Sequence, residues 1–293
     1  MTTTQIERGE SLMQNYYAIP AEEFSQHSKI QFNFVETHAD LCRAFARELV
    51  DLIKAKRARA EMAVVILPVG PLDFGAFAEL CNRENVSCES LVIISMDEYC
   101  DAGGHAIPVE HPLSFRAFYK HNLLDRLDRD KRVPPEQLVL PDPRDLGLVR
   151  RTIDKFGGVD VTYGGMGVNG HFAFNVPPAQ PVDVETFRNT TVRMIELGEG
   201  DAFQMAIGGT GGNLAIIPPK ACTVGMKELL SARMIHLTFM RSWHAGVLRR
   251  ALFGPVTSAF PGSLVQTHPN VKATITADAA RLPAFSLLQQ PGK

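Results

Sequence analysis

The stretch GGMGVNGHFAFNVPP, residues 164–178, sets His171 in a turn dense in glycine, with Asn169 two residues before it and no acidic residue inside it. A histidine in such a turn is either a general acid or base, with its tautomer set by a neighbour, or a plain structural imidazole buried by the turn. Further up the chain, Asp97 closes the apolar run LVIISMD, residues 91–97. A carboxyl at the end of a buried strand loses solvation, so its pKa rises and it becomes a better proton carrier near neutrality. The alternative role for Asp97 is to cap the turn that follows. If both residues do chemistry, the reaction is proton transfer, and the surrounding elements must bring the two groups together.

Those elements are legible as apolar runs. MAVVILPVG (62–70), LVIISMD (91–97), VDVTYGGMG (159–167), ACTVGM (221–226), MIHLTFM (234–240) and VKATITAD (271–278) read as buried strands. They are continuous rather than alternating and have helical patterns between them, which predicts an α/β fold: a doubly wound, mostly parallel sheet with helices on both faces, Rossmann-like. The segment 37–56 places Leu41, Phe45, Leu49, Leu52 and Ile53 on one stripe and is expected to pack on the sheet. Residues 1–36 lack periodicity and are assigned to an N-terminal extension, wrapping the surface or an oligomer neighbour, with 37–293 as a single α/β domain. Ligands of open α/β sheets bind at the carboxyl ends of the strands. Four loops are therefore expected to form one site: PVGPLDFG, MDEYCDAGGHAIPVEHP, GGMGVNGHFAFNVPP and MRSWHAG.

Composition narrows the function classes. The chain has 293 residues, is 45% hydrophobic and 21% charged, and carries a formal net charge of −2, which argues against a nucleic-acid partner. The basic run KAKRARAE, residues 54–61, reads as a solvated helix end. Five cysteines without a CxxC pair fit a reducing cytoplasm, and no apolar run reaches the length of a membrane span. The histidines and cysteines show no metal-ligand spacing such as HxxxH or CxxC, so neither a metal nor a cofactor is expected.

Taken in order, SMDEYC with EHPLSFRAFYKHNLLDRL, GMGVNGHFAFNVP and CTVGMKELLSARMIHL resemble the glucosamine-6-phosphate deaminase (isomerase) family, within a sugar-phosphate group that also holds the 6-phosphogluconolactonases. The likeness spans about residues 63–278, and Tyr99 and HFAFN side with the deaminases. The resemblance implies a sugar or sugar phosphate as ligand, no cofactor and a homo-oligomer. It also implies ring opening by His171 and proton transfer from C2 to C1 by Asp97, with Asn169 at a catalytic position and substrate contacts from Gly70, Glu98, Tyr99, Gly167, Gly170, Arg241 and His244.

The departures from the family pattern are specific. Val69-Gly70-Pro71-Leu72-Asp73 stands where the family has a hydroxyl-bearing T-G-G-T-P phosphate loop, Asn169 and Val176 stand where carboxylates flank the histidine, and His244 takes the place of a lysine. The run GGTGGN, residues 208–213, lies where the family has a mobile lid; it reads as a surface loop or as an alternative anion nest. An amino-sugar or sugar-phosphate isomerase/deaminase with altered acid–base groups is the leading expectation. The alternatives are a non-catalytic sugar-binding relative and a lactonase-like hydrolase.

Overall fold

The computed structural model describes residues 15–70 and 72–283; Pro71 of the altered loop and residues 1–14 of the extension lie outside the described residues. Seven strands form one sheet in the spatial order β1 (Gln31–Val35), β10 (Val271–Thr276), β9 (Met234–Phe239), β6 (Val161–Gly164), β2 (Ala63–Leu67), β3 (Leu91–Ser95) and β5 (Leu138–Val139). Every pairing in it is parallel. The continuous apolar runs have a direct cause here. In β2, Val64 and Ile66 enter one core while Ala63, Val65 and Leu67 enter the other, and β3 divides its side chains in the same way. Both faces of the sheet are thus covered.

Helix α1 (His38–Arg57) begins at a capping box between Thr37 and Asp40 and ends with Lys54, Lys56 and Arg57, the charge order that suits its dipole. It buries Leu41, Phe45, Leu49 and Ile53. Helix α2 (Phe74–Glu84) starts directly after the β2 loop. Next come α3 (Phe115–Asn122), α4 (Leu148–Lys155), α5 (Glu199–Gly209) and α6 (His244–Phe253).

Two regions differ from the expectation. ACTVGM does not join the parallel sheet: β8 (Lys220–Thr223) is the middle of a separate antiparallel sheet between β4 (Asp97–Cys100) and β7 (Arg193–Glu196). An apolar run of that length is equally compatible with either kind of sheet, because its register partners lie far away in sequence. Residues 31–35, counted with the extension from sequence, form an edge strand paired in parallel with β10. The segment before it lies along α6, where the fully buried Arg249 donates to the carbonyls of Ile19, Ala245, Ala280 and Arg281. Among the described residues no helix is long and apolar enough to cross a membrane.

Candidate active site

The strand holding Asp97 changes sheets. Ser95 ends β3 beside Leu67, Met96 N–H donates to Leu67 O, and Val224 N–H donates back to Met96 O. Asp97 then opens β4, opposite Thr223, which in turn faces Arg193 on β7. Directly paired residues share a face of an antiparallel sheet, so Asp97, Thr223 and Arg193 form a row. Asp97 is 7% exposed, accepts from Phe174 N–H at 3.0 Å, and is hydrogen-bonded by the Thr223 hydroxyl. Burial outweighs these bonds and pushes its carboxyl up to about 7, with Glu98 adding to the rise and Arg193 opposing it.

Phe174 follows His171 by three residues, so one loop serves both groups. His171 is buried beside the main chain of Gly167; a Cβ on Gly167 would lie 2.2 Å from its ring. Gly170 has φ +79° and sits against Phe260, which leaves no space for a side chain. Asn169 Oδ1 accepts from His171 N–H (3.2 Å) and pairs with His171 Nδ1 (2.8 Å), while Asn169 Nδ2 donates to Asp201 Oδ1 (3.0 Å). Since the amide oxygen faces the backbone N–H, Nδ1 must carry the proton. At the other ring nitrogen, Gln204 Nε2 lies 3.4 Å from His171 Nε2, and Gln204 Oε1 accepts from Val168 N–H at 2.7 Å. Burial holds the imidazole down at about 4, against the pull of Asp201, so it is neutral at physiological pH.

The remaining candidates divide. Glu98 accepts from the backbone N–H groups of Tyr99, Phe115 and Arg116 and anchors the start of α3. Tyr99 packs its ring on Phe115 and Phe174 beneath the histidine loop. His244, placed at the family's lysine position, has both ring nitrogens engaged: Nδ1 accepts from Met240 and Arg241 N–H, and the ring also bonds the Met166 backbone. It is buried, its pKa is pushed down to about 3, and it ties two loops together without offering a charge. Arg241 is only partly buried and lies beside Gly208 of α5. Gly70 has φ +34° and open space around it, whereas Asp73 caps α2 by accepting from Gly75 N–H at 2.8 Å. The start of α2, a kind of position that otherwise attracts an anion, therefore carries its own carboxylate. In the 208–213 run, Thr210 Oγ1 donates to Ala206 O and Asn213 O, and Gly212 N–H donates to Ala206 O, so these groups close α5 and form no anion nest.

Sequence reasoning missed Thr223, Arg193, Asn175, Asp201 and Gln204. Asn175 is fully buried, bridges Phe172 O and Val224 O, and accepts from Arg193. Asp201 and Gln204 are three apart on α5, the spacing that puts two side chains on one helical face, and that was the available signal. Among the described residues no group of three or more His, Cys, Asp or Glu side chains is placed to hold a metal ion.

No protein-family model matches the chain. Its sequence is 26% identical over 259 residues to a glucosamine-6-phosphate deaminase-like protein of Bacteroides thetaiotaomicron, covering 86% of this chain and only 37% of that longer protein. It is 28% identical over 243 residues to the glucosamine-6-phosphate deaminase of Serratia proteamaculans, covering 80% of this chain and 84% of the relative. Among solved structures, a monomeric glucosamine-6-phosphate deaminase matches with a TM-score of 0.73 at 23% identity, over 87% of this chain and 100% of its own. The 6-phosphogluconolactonase from Trypanosoma cruzi matches at 0.65 and 15%, over 86% and 96%. The solved structures speak to the fold alone.

Proposed function

We propose that this divergent relative of the glucosamine-6-phosphate deaminases is an aldose–ketose isomerase of amino sugars or sugar phosphates, releasing ammonia when the substrate carries a 2-amino group. The observation that carries this reading is a buried carboxyl poised near pH 7 and a neutral imidazole of fixed tautomer, held by one four-residue loop. His171 Nε2 takes the proton of the O1 hydroxyl as the C1–O5 bond breaks, and the proton passes to O5, opening the ring. The Asp97 carboxylate removes the C2 proton and returns it to C1. One proton leaves the 2-hydroxyl or 2-amino group and one is gained by O1, so that an enediol or enolamine lies between aldose and ketose or 2-imine. With a 2-amino substrate, the resulting 2-imine is hydrolysed, so one water is consumed and one ammonia leaves. A general base so placed is worth roughly 10²–10⁴ in rate.

The self-capped start of α2 weighs against tight phosphate binding there, since Asp73 would repel an anion. Turnover of hexosamines and their 6-phosphates, followed by ammonia and ketose formation in the wild type and Asp97→Asn, tests the reading. Activity abolished by the substitution sustains it. Saturable sugar binding without turnover would favour the binding reading, to which Asn169 and Val176 in place of carboxylates already lean. Hydrolysis of a sugar lactone in place of isomerisation would move the chain to the lactonase side.

A further inference from the structure

We infer that helix α5 belongs to the proton-transfer machinery, and that Asp201 and Gln204 are positioning residues which fix the tautomer of His171 through Asn169 and at Nε2. This rests on the reading of His171 Nε2 as the ring-opening base. Two independent hydrogen-bond assignments agree on it. Asp201 Oδ1 accepts from Asn169 Nδ2, which turns the amide oxygen toward Nδ1–H. Val168 N–H occupies Gln204 Oε1, which leaves only the Gln204 amide N–H to face His171 Nε2, so that nitrogen holds the lone pair. Carboxylate, amide and imidazole thus form a chain in which the negative charge is one residue removed from the ring. The carboxylate orients the imidazole without sharing its proton directly.

Asp201 is 8% exposed, deep for an aspartate on a helix that leaves Phe203 54% and Ile207 73% exposed. Its second oxygen accepts from Gly198 N–H at 3.3 Å and starts the helix. The bond from Gln204 to Nε2, at 3.4 Å, is the longest in the chain and the one that a substrate hydroxyl can displace. The arrangement gives a neutral base with a defined lone pair, where a carboxylate placed directly on the ring would hold a proton on it.

The test is long-range proton–nitrogen NMR of the full ¹⁵N-labelled chain, with His171 assigned by His171→Gln and turnover measured in parallel. The wild type should show the neutral Nδ1–H form at neutral pH. Asp201→Ala should move the population toward Nε2–H and lower kcat about tenfold to a hundredfold, with KM little changed, the effect of losing one charge-assisted hydrogen bond. Asp201→Asn keeps an oxygen for the Gly198 N–H, so it covers the case in which the alanine variant fails to fold. Gln204→Leu leaves the helix start intact and should give a smaller shift in the same direction. A wild-type Nε2–H form, unmoved tautomers in the folded Asp201 variants, or moved tautomers with undiminished turnover would each overturn the inference. Should no sugar be turned over at all, the catalytic reading falls, and the tautomer populations alone decide the positioning role.

Discussion

Replacing Asp97 with asparagine should abolish turnover and, at the same time, stabilise the fold in a pH-dependent way. Burial raises the Asp97 carboxyl from an ordinary 3.8 to about 7, so the folded protein binds this proton more tightly than the unfolded chain. A group shifted in that direction contributes stability that is fully present below its unfolded pKa and is lost as pH rises through its folded pKa. With the carboxyl raised from 3.8 to about 7, and each tenfold change in proton affinity equal to about 1.36 kcal/mol, the wild type forfeits roughly 4 kcal/mol by pH 9 and somewhat under 2 kcal/mol at pH 5. Asparagine keeps an oxygen for Phe174 N–H and carries no charge to desolvate. The advantage of Asp97→Asn should therefore grow by about 2.5 kcal/mol between pH 5 and pH 9 and level off above about pH 7. Urea unfolding of both proteins at a series of pH values measures this, and the subtraction cancels the titrating groups that do not interact with Asp97. An advantage that stays constant across the series would refute the reasoning, because Asp97 would then not be held protonated in the fold.

Three further outcomes follow from the same geometry. Asn169→Asp should raise the His171 pKa from about 4 by putting a carboxylate against Nδ1, read by NMR titration of the imidazole; an unmoved midpoint would place the new carboxylate away from the ring. Gly167→Ala should cost about 1–3 kcal/mol or more and displace the histidine, because the added Cβ meets the ring at 2.2 Å; chemical denaturation and turnover should fall together, and a neutral effect on both would contradict the packing described. Asp73→Ser should keep the α2 cap within a few tenths of a kcal/mol while raising the affinity for a sugar phosphate relative to the free sugar by about fivefold to tenfold, as calorimetric titration would show; an unchanged ratio would remove Asp73 from the phosphate question.

Much of the fold was legible because buried parallel strands are nearly uniform in character. Five of the six apolar runs lie in the large sheet, and α1 buries four of the five residues on its expected stripe. Strand β8 was placed in the wrong sheet because nothing in ACTVGM encodes antiparallel pairing with Asp97–Cys100. β1 was missed because QFNFV is half-exposed at a sheet edge and follows a stretch without periodicity. At the site, the loop residues could be found from glycine density and resemblance, whereas Thr223, Arg193, Asp201 and Gln204 come from elements that only tertiary packing brings near. His244 is a different case. Its position suggested a substrate contact, but a histidine one residue after a tryptophan at a helix start was equally suited to bonding the preceding turn, and it does so.

The way β4 leaves β3 has a consequence for where the molecule can open. The main chain at Met96 is bonded into the large sheet through Leu67 and into the small sheet through Val224, so the Asp97 backbone cannot be released without disrupting both. Helix α5 buries only Asp201 and Ala206 and touches the histidine loop through side chains. The amide hydrogens of Met96 and Val224 should exchange only when the whole molecule unfolds, and those of α5 through a far smaller local opening. The Asp97 carboxyl is thus anchored where the two sheets meet, whereas the side-chain partners of His171 ride on a helix with little buried surface. On the proposed function, loosening α5 would release the side-chain partners of His171 while the carboxylate stays where it is.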